Sequence, residues 1–116
     1  GATTGVLGPF VFNLNVAQVA NLKTGAYYVN LHTTTHPDGE IRGQIYPAAV
    51  FEAFITGAQQ VPPVNTAASG QGLVLLSDVV GTMYISVFAT FNNLDGTLTE
   101  AHVHQGARGQ NGPVVF

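Results

Sequence analysis

Hydrophobic and polar residues alternate with a period of two along most of this chain, the period of β-strands with one buried face. Between Phe10 and Asn15, the residues Phe10, Phe12 and Leu14 share a face. From Tyr27 to Thr33, Tyr27, Val29 and Leu31 lie opposite Tyr28, Asn30 and His32. From Glu40 to Tyr46, Ile41, Gly43 and Ile45 lie opposite Glu40, Arg42 and Gln44. Val50–Thr56 and Gly72–Ser77 are apolar runs of strand length, and Thr82–Phe91 turns Met83, Ile85, Val87, Ala89 and Phe91 inward. Thr97–His104 groups Leu98, Glu100, His102 and His104 against Thr99, Ala101 and Val103, and Val114–Phe116 makes a last short strand. One stretch breaks the rhythm. Val16, Val19, Ala20 and Lys23 have helical spacing, Asn15 with Gln18 predicts a capping box, and Gly25 predicts the stop. Asp38-Gly39 after Pro37, and Asp95-Gly96, read as hairpin turns, and Pro62-Pro63 as a rigid extended connection. About eight strands, one short helix and no βαβ rhythm predict an all-β antiparallel Greek-key sandwich or barrel.

Composition narrows the function. Only 8% of the 116 residues are charged, against about 25% in ordinary domains. A net charge of −3 with three cations argues against nucleic acid as a partner. The absence of Cys excludes a disulfide scaffold, a thiolate metal site and a cysteine nucleophile. No apolar stretch approaches the roughly 20 residues of a membrane-spanning helix. No Ser-His-Asp arrangement or phosphate-binding glycine loop is apparent, so no catalytic residues and no enzyme activity are expected. A surface so poor in charge has weak colloidal repulsion and is expected to meet a partner.

The chain also echoes itself. Gly1-Ala2 through Gly8-Pro9-Phe10-Val11-Phe12 has a counterpart in Gly106-Ala107 through Gly112-Pro113-Val114-Val115-Phe116. A match at a fixed offset of domain length points to a repeat array.

Three motifs carry a family resemblance. Tyr28-Val29-Asn30-Leu31-His32-Thr33 with Pro37-Asp38-Gly39-Glu40-Ile41-Arg42-Gly43-Gln44-Ile45 resembles the closing motif of the chordin-type (CHRD) domain. Gly57-Ala58-Gln59-Gln60-Val61-Pro62-Pro63 resembles its opening motif. Ala101-His102-Val103-His104, with Gly106 and Asn111-Gly112-Pro113-Val114-Val115-Phe116, resembles its central motif. The closing motif comes first in this chain. Residues 1–47 therefore read as the C-terminal half of one repeat and 48–116 as the N-terminal half of the next, a window out of a tandem array that does not open on Met. One permuted domain spanning 1–116 is the alternative. The resemblance implies a sandwich similar to the Cu,Zn superoxide dismutase fold and an extracellular or cell-surface location.

His32, His102 and His104 are the candidate metal ligands. His102 and His104 stand two apart on a strand and point to one face, and imidazole suits copper and zinc. His36 is a candidate fourth ligand. A hydrogen-bonded cluster with Thr, Asn or Glu40 at a sheet edge is the competing reading. Arg42 is expected to cap carbonyls and to pair with a carboxylate such as Glu40 or Glu100.

These readings predict an extracellular structural or interaction repeat that self-associates with neighbouring copies, by strand exchange among other routes, and holds copper or zinc. A copper redox protein with superoxide dismutase-like activity is the alternative. Growth-factor binding ranks last, because the cysteine-rich modules of chordin are absent.

Overall fold

The computed structural model describes residues 2–46 and 50–116. The expected 47/48 boundary between half-repeats, and Gly1 of the first echo, lie outside them. The chain runs β1 (Gly5–Leu14), α1 (Val16–Lys23), β2 (Tyr27–Thr33), β3 (Ile41–Gln44), β4 (Phe51–Thr56), a 3-10 turn at Gly57–Gln59, β5 (Ser69–Val79), β6 (Thr82–Asn92) and β7 (Leu98–Gln105). All strands join one curled antiparallel sheet in the order β1-β6-β5-β4-β3-β2-β7. The all-β antiparallel expectation therefore holds, with seven strands among the described residues. Val114–Phe116, expected as an eighth, runs along β7 through a bridge to His104 and backbone hydrogen bonds to Val103, without forming a regular strand.

The expected inward residues build the core. Tyr27, Val29 and Leu31 of β2, Ile41 and Ile45, and Ile85, Val87, Ala89 and Phe91 of β6 join Leu14, Ile55, Val74 and Val103. Burying that many aliphatic side chains from water is the main force curling the sheet. The helix starts as its sequence dictates: the Gln18 amide donates to Asn15 Oδ1 at 2.8 Å, and the Asn15 amide donates to Gln18 Oε1 at 3.0 Å. It buries only Leu22.

Two expectations are corrected. Asp95-Gly96 is not a hairpin turn, because β6 pairs with β1 and β5 while β7 pairs with β2. The segment from Asn92 to Thr97 is instead a crossover between distant parts of the sheet. Leu98 also leaves the face assigned to it. A bulge in the β2–β7 pairing, between His32↔Glu100 and Thr33↔Leu98, leaves Thr99 unmatched. An extra residue reverses the alternation, and Leu98 packs against the core with Ala101 and Val103. The β5–β6 hairpin turns through Val80 (φ 50°) and Gly81 (φ 83°), the two left-handed residues that a tight antiparallel turn requires.

Candidate metal centre

The end of the sheet formed by β3, β2 and β7 has two covered faces. Its inner face is core. Its outer face carries Tyr28, Asn30 and His32 from β2, Arg42 and Gln44 from β3, and His102 and His104 from β7. Antiparallel pairing sets Tyr28 opposite His104, Asn30 opposite His102, and His32 opposite Glu100. His32 is thus the diagonal neighbour of His102, a distance that imidazoles bridge.

The register brings the three expected residues together. One ring nitrogen of each of His32, His102 and His104 lies within 4.8 Å of those of the other two. His104 is buried and the other two are half-buried. The ring centroids of His32 and His102 are 5.1 Å apart, and those of His102 and His104 5.8 Å.

The hydrogen bonds decide which nitrogens face the cluster. His104 Nδ1 lies 2.8 Å from the Gly112 carbonyl, and His32 Nδ1 lies 2.8 Å from the Pro37 carbonyl. A carbonyl only accepts, so both Nδ1 atoms carry a proton, and in the neutral ring Nε2 is the nitrogen that offers a lone pair. Asn30 Nδ2, 3.3 Å from His32 Nε2, donates to that lone pair. His104 Nε2 is buried and has no hydrogen-bond partner among the described residues. His102 Nδ1 lies 3.3 Å from His32 Nε2, while its Nε2 faces Glu100 Oε2 at 3.7 Å. His32 and His104 each have a carbonyl acceptor at Nδ1, and His102 has the Glu100 carboxylate nearby, the kind of outer-shell support that orients metal-ligating histidines. Burial lowers the His104 pKa, as do the nearby His102, His32 and Arg42, against the raising effect of the Gly112 carbonyl. The lowered value favours the neutral ring that a metal needs.

His36 does not join this group. Its Nε2 pairs with Asp95 Oδ2 at 3.0 Å, beside Glu40. Nor does Arg42 pair with a carboxylate among the described residues. It donates to Asn111 Oδ1 (3.2 Å), the Ala107 carbonyl (3.1 Å) and the Gln110 carbonyl (2.7 Å). The carbonyl-capping half of the expectation is correct, and the ion-pair half is not. Glu40 is fully buried and accepts instead from the Thr33 hydroxyl (2.9 Å), the Thr66 hydroxyl (2.9 Å) and the Asp95 amide (2.9 and 3.1 Å). Carbonyls meet the fork of Arg42, and hydroxyl and amide donors meet the carboxylate, so neither charge needs the other.

The second layer was not visible as a site in the sequence. Arg42 lies over the Tyr28 ring, 3.5 Å from its centroid, and Tyr28 stacks on His104. Gln44 Nε2 donates to the Gly25 (2.8 Å) and Gly106 (2.7 Å) carbonyls. Gln60 donates to Asn30 Oδ1, which aims the Asn30 amide at His32. The shared face of Tyr28, Asn30 and His32 was the one available signal.

The CHRD domain model matches residues 2–45 and 51–116. No curated protein and no solved structure matches the chain. CHRD domains are typically found in extracellular proteins, as interaction-type domains. No described helix is long and apolar enough to cross a membrane. With the family match covering both segments of this sheet, the chain belongs to the CHRD domain family.

Proposed function

We propose that this chain is an extracellular structural module that self-associates with copies of itself and binds one copper or zinc ion through His32, His102 and His104. The observation that carries the metal reading is the buried Nε2 of His104, without a hydrogen-bond partner among the described residues, on a ring grouped with two further imidazoles. A buried polar atom without a partner costs roughly 1–3 kcal/mol, and an ion restores that loss. Three imidazole nitrogens with carbonyl or carboxylate support suit borderline divalent metals better than calcium or magnesium, which take oxygen ligands. The bound ion would fasten β2 to β7.

Self-association is supported by the scarcity of charge and by the apolar residues on the sheet margin, with Val6, Phe10 and Val11 of β1 exposed by 47–71%. Under this reading the two segments are adjoining halves of consecutive repeats. Electron microscopy and sedimentation of native protein test it: filaments or defined oligomers are expected, and isolated compact particles at all concentrations would overturn it. Calorimetric titration with Cu²⁺ and Zn²⁺ tests the metal site, with one ion per chain expected.

The alternative, copper redox activity, draws on the half-buried His32 and His102, which leave a bound ion approachable, and on the Arg42 cation one aromatic ring away from His104. Superoxide removal by the copper-loaded protein above the free-copper background distinguishes it.

A further inference from the structure

The two Gly-Pro-x-Val-Phe echoes occupy corresponding places at the two ends of the sheet. Gly8–Phe12 belongs to β1 and lies along β6, with Phe10 opposite Val87 and Phe12 opposite Ile85. Gly112–Phe116 lies along β7: the Gln105 amide donates to the Pro113 carbonyl (3.0 Å), Val103 N–H to the Phe116 carbonyl (3.0 Å), and Val115 N–H to the Val103 carbonyl (2.8 Å). Both join their strand by the same device. A Cβ on Gly8 would overlap the Val87 carbonyl, and one on Gly112 the Gln105 carbonyl, so only glycine permits either approach. The closing residues of the echoes then stack on each other, Phe12 on Phe116 at 4.8 Å between centroids. Equivalent segments thus stand side by side at the seam where the curled sheet fails to close.

β1 is an edge strand. Among the described residues its one strand partner is β6; it buries Leu14, packs Leu7 and Phe12 against the core, and exposes Val6, Phe10 and Val11. Between β1 and β7 lies an apolar groove lined by Leu7, Phe10, Phe12, Ala101, Val103 and Phe116. The link from β1 to β2 is α1, whose Val16 is 88% exposed. An edge strand with exposed apolar residues, joined by a largely exposed helix and with a sequence double elsewhere in the chain, has the features of an exchanged element. We propose that β1 is a donor strand: in the assembled protein, Gly5–Leu14 of one copy lies on the β6 edge of a second copy. This rests on the self-association proposed above and names the segment that performs it.

The chain has no cysteine, so an introduced pair reports unambiguously. Val11 and Ser86 are register partners across β1 and β6. The V11C/S86C protein is assembled under native conditions, checked by sedimentation, oxidised and run on a non-reducing gel. Covalent multimers are expected to hold most of the cross-linked chains. Assembled protein whose disulfides are all within one chain overturns strand exchange and leaves self-association standing. Protein that remains monomeric in sedimentation, as wild type and as variant, overturns both. The neighbouring partners Asn13 and Tyr84 give a second pair, N13C/Y84C, should the first fail to fold.

Discussion

The Tyr28 ring lies on the His104 imidazole, 4.8 Å between centroids and 12° from parallel. Because β2 runs between β3 and β7, the ring is sandwiched between the Arg42 guanidinium and the imidazole. Its hydroxyl accepts from the Gly112 amide (3.1 Å), and the Gly112 carbonyl holds His104 Nδ1. One side chain thus sets both the tilt and the tautomer of the deepest candidate ligand. Tyr28→Phe keeps the stacking and loses the hydroxyl bonds, for a cost of about 1 kcal/mol in chemical denaturation. Tyr28→Ala also loses the sandwich, and a roughly 10–100-fold loss of Zn²⁺ affinity is expected in calorimetry.

Arg42 ties the 107–111 loop to the sheet. It is 1% exposed, and burial lowers its pKa, though a guanidinium stays charged at neutral pH. Lysine cannot reproduce the fork that meets three acceptors at once. Arg42→Lys is expected to cost about 2–4 kcal/mol by urea unfolding. It should weaken metal binding too, since the same loop carries the Gly112 carbonyl.

Glu40 is held by donors alone. Glu40→Gln turns an N–H group toward the Asp95 amide, which donates to both carboxylate oxygens. A loss of about 1–3 kcal/mol in thermal or urea unfolding is expected. The zinc affinity should remain within a few-fold, because Glu40 does not touch the three imidazoles.

The pH dependence follows from His104. Its folded pKa lies below the ordinary value of 6.5, so the unfolded chain takes up a proton more readily than the folded one. Stability of the metal-free protein is therefore full above about pH 6.5 and falls as pH drops through the lowered folded pKa. Metal loss on acidification has the same sign, because protons compete for all three imidazoles. Unfolding curves with and without zinc between pH 8 and 5 measure both; a metal-free stability that rises on acidification would contradict the assignment.

The local order was legible wherever one residue's neighbours decide its fate. The alternation in Tyr27–Thr33 and Thr82–Phe91 named the face that meets the hydrophobic core, and Asn15 with Gln18 named the helix start. The paired His102 and His104 named a face, and the family motifs brought His32 to it. What escaped depends on register and crossovers. Leu98 changes face because of a bulge that no period reveals. Asp95-Gly96 resembles a hairpin turn locally, yet β7 pairs with β2, more than 60 residues earlier. Arg42 and Glu40 read as an ion pair because they are two apart, while the partners of Arg42 lie in the 107–111 loop and those of Glu40 in β2 and two loops.

Metal content tests the central claim most directly. Protein purified without chelator and analysed by inductively coupled plasma mass spectrometry is expected to carry about one copper or zinc per chain, or to take up one when offered. The triple variant H32A/H102A/H104A should carry none. Wild-type protein that holds no stoichiometric metal as purified, and none after incubation with either ion and desalting, would contradict the account.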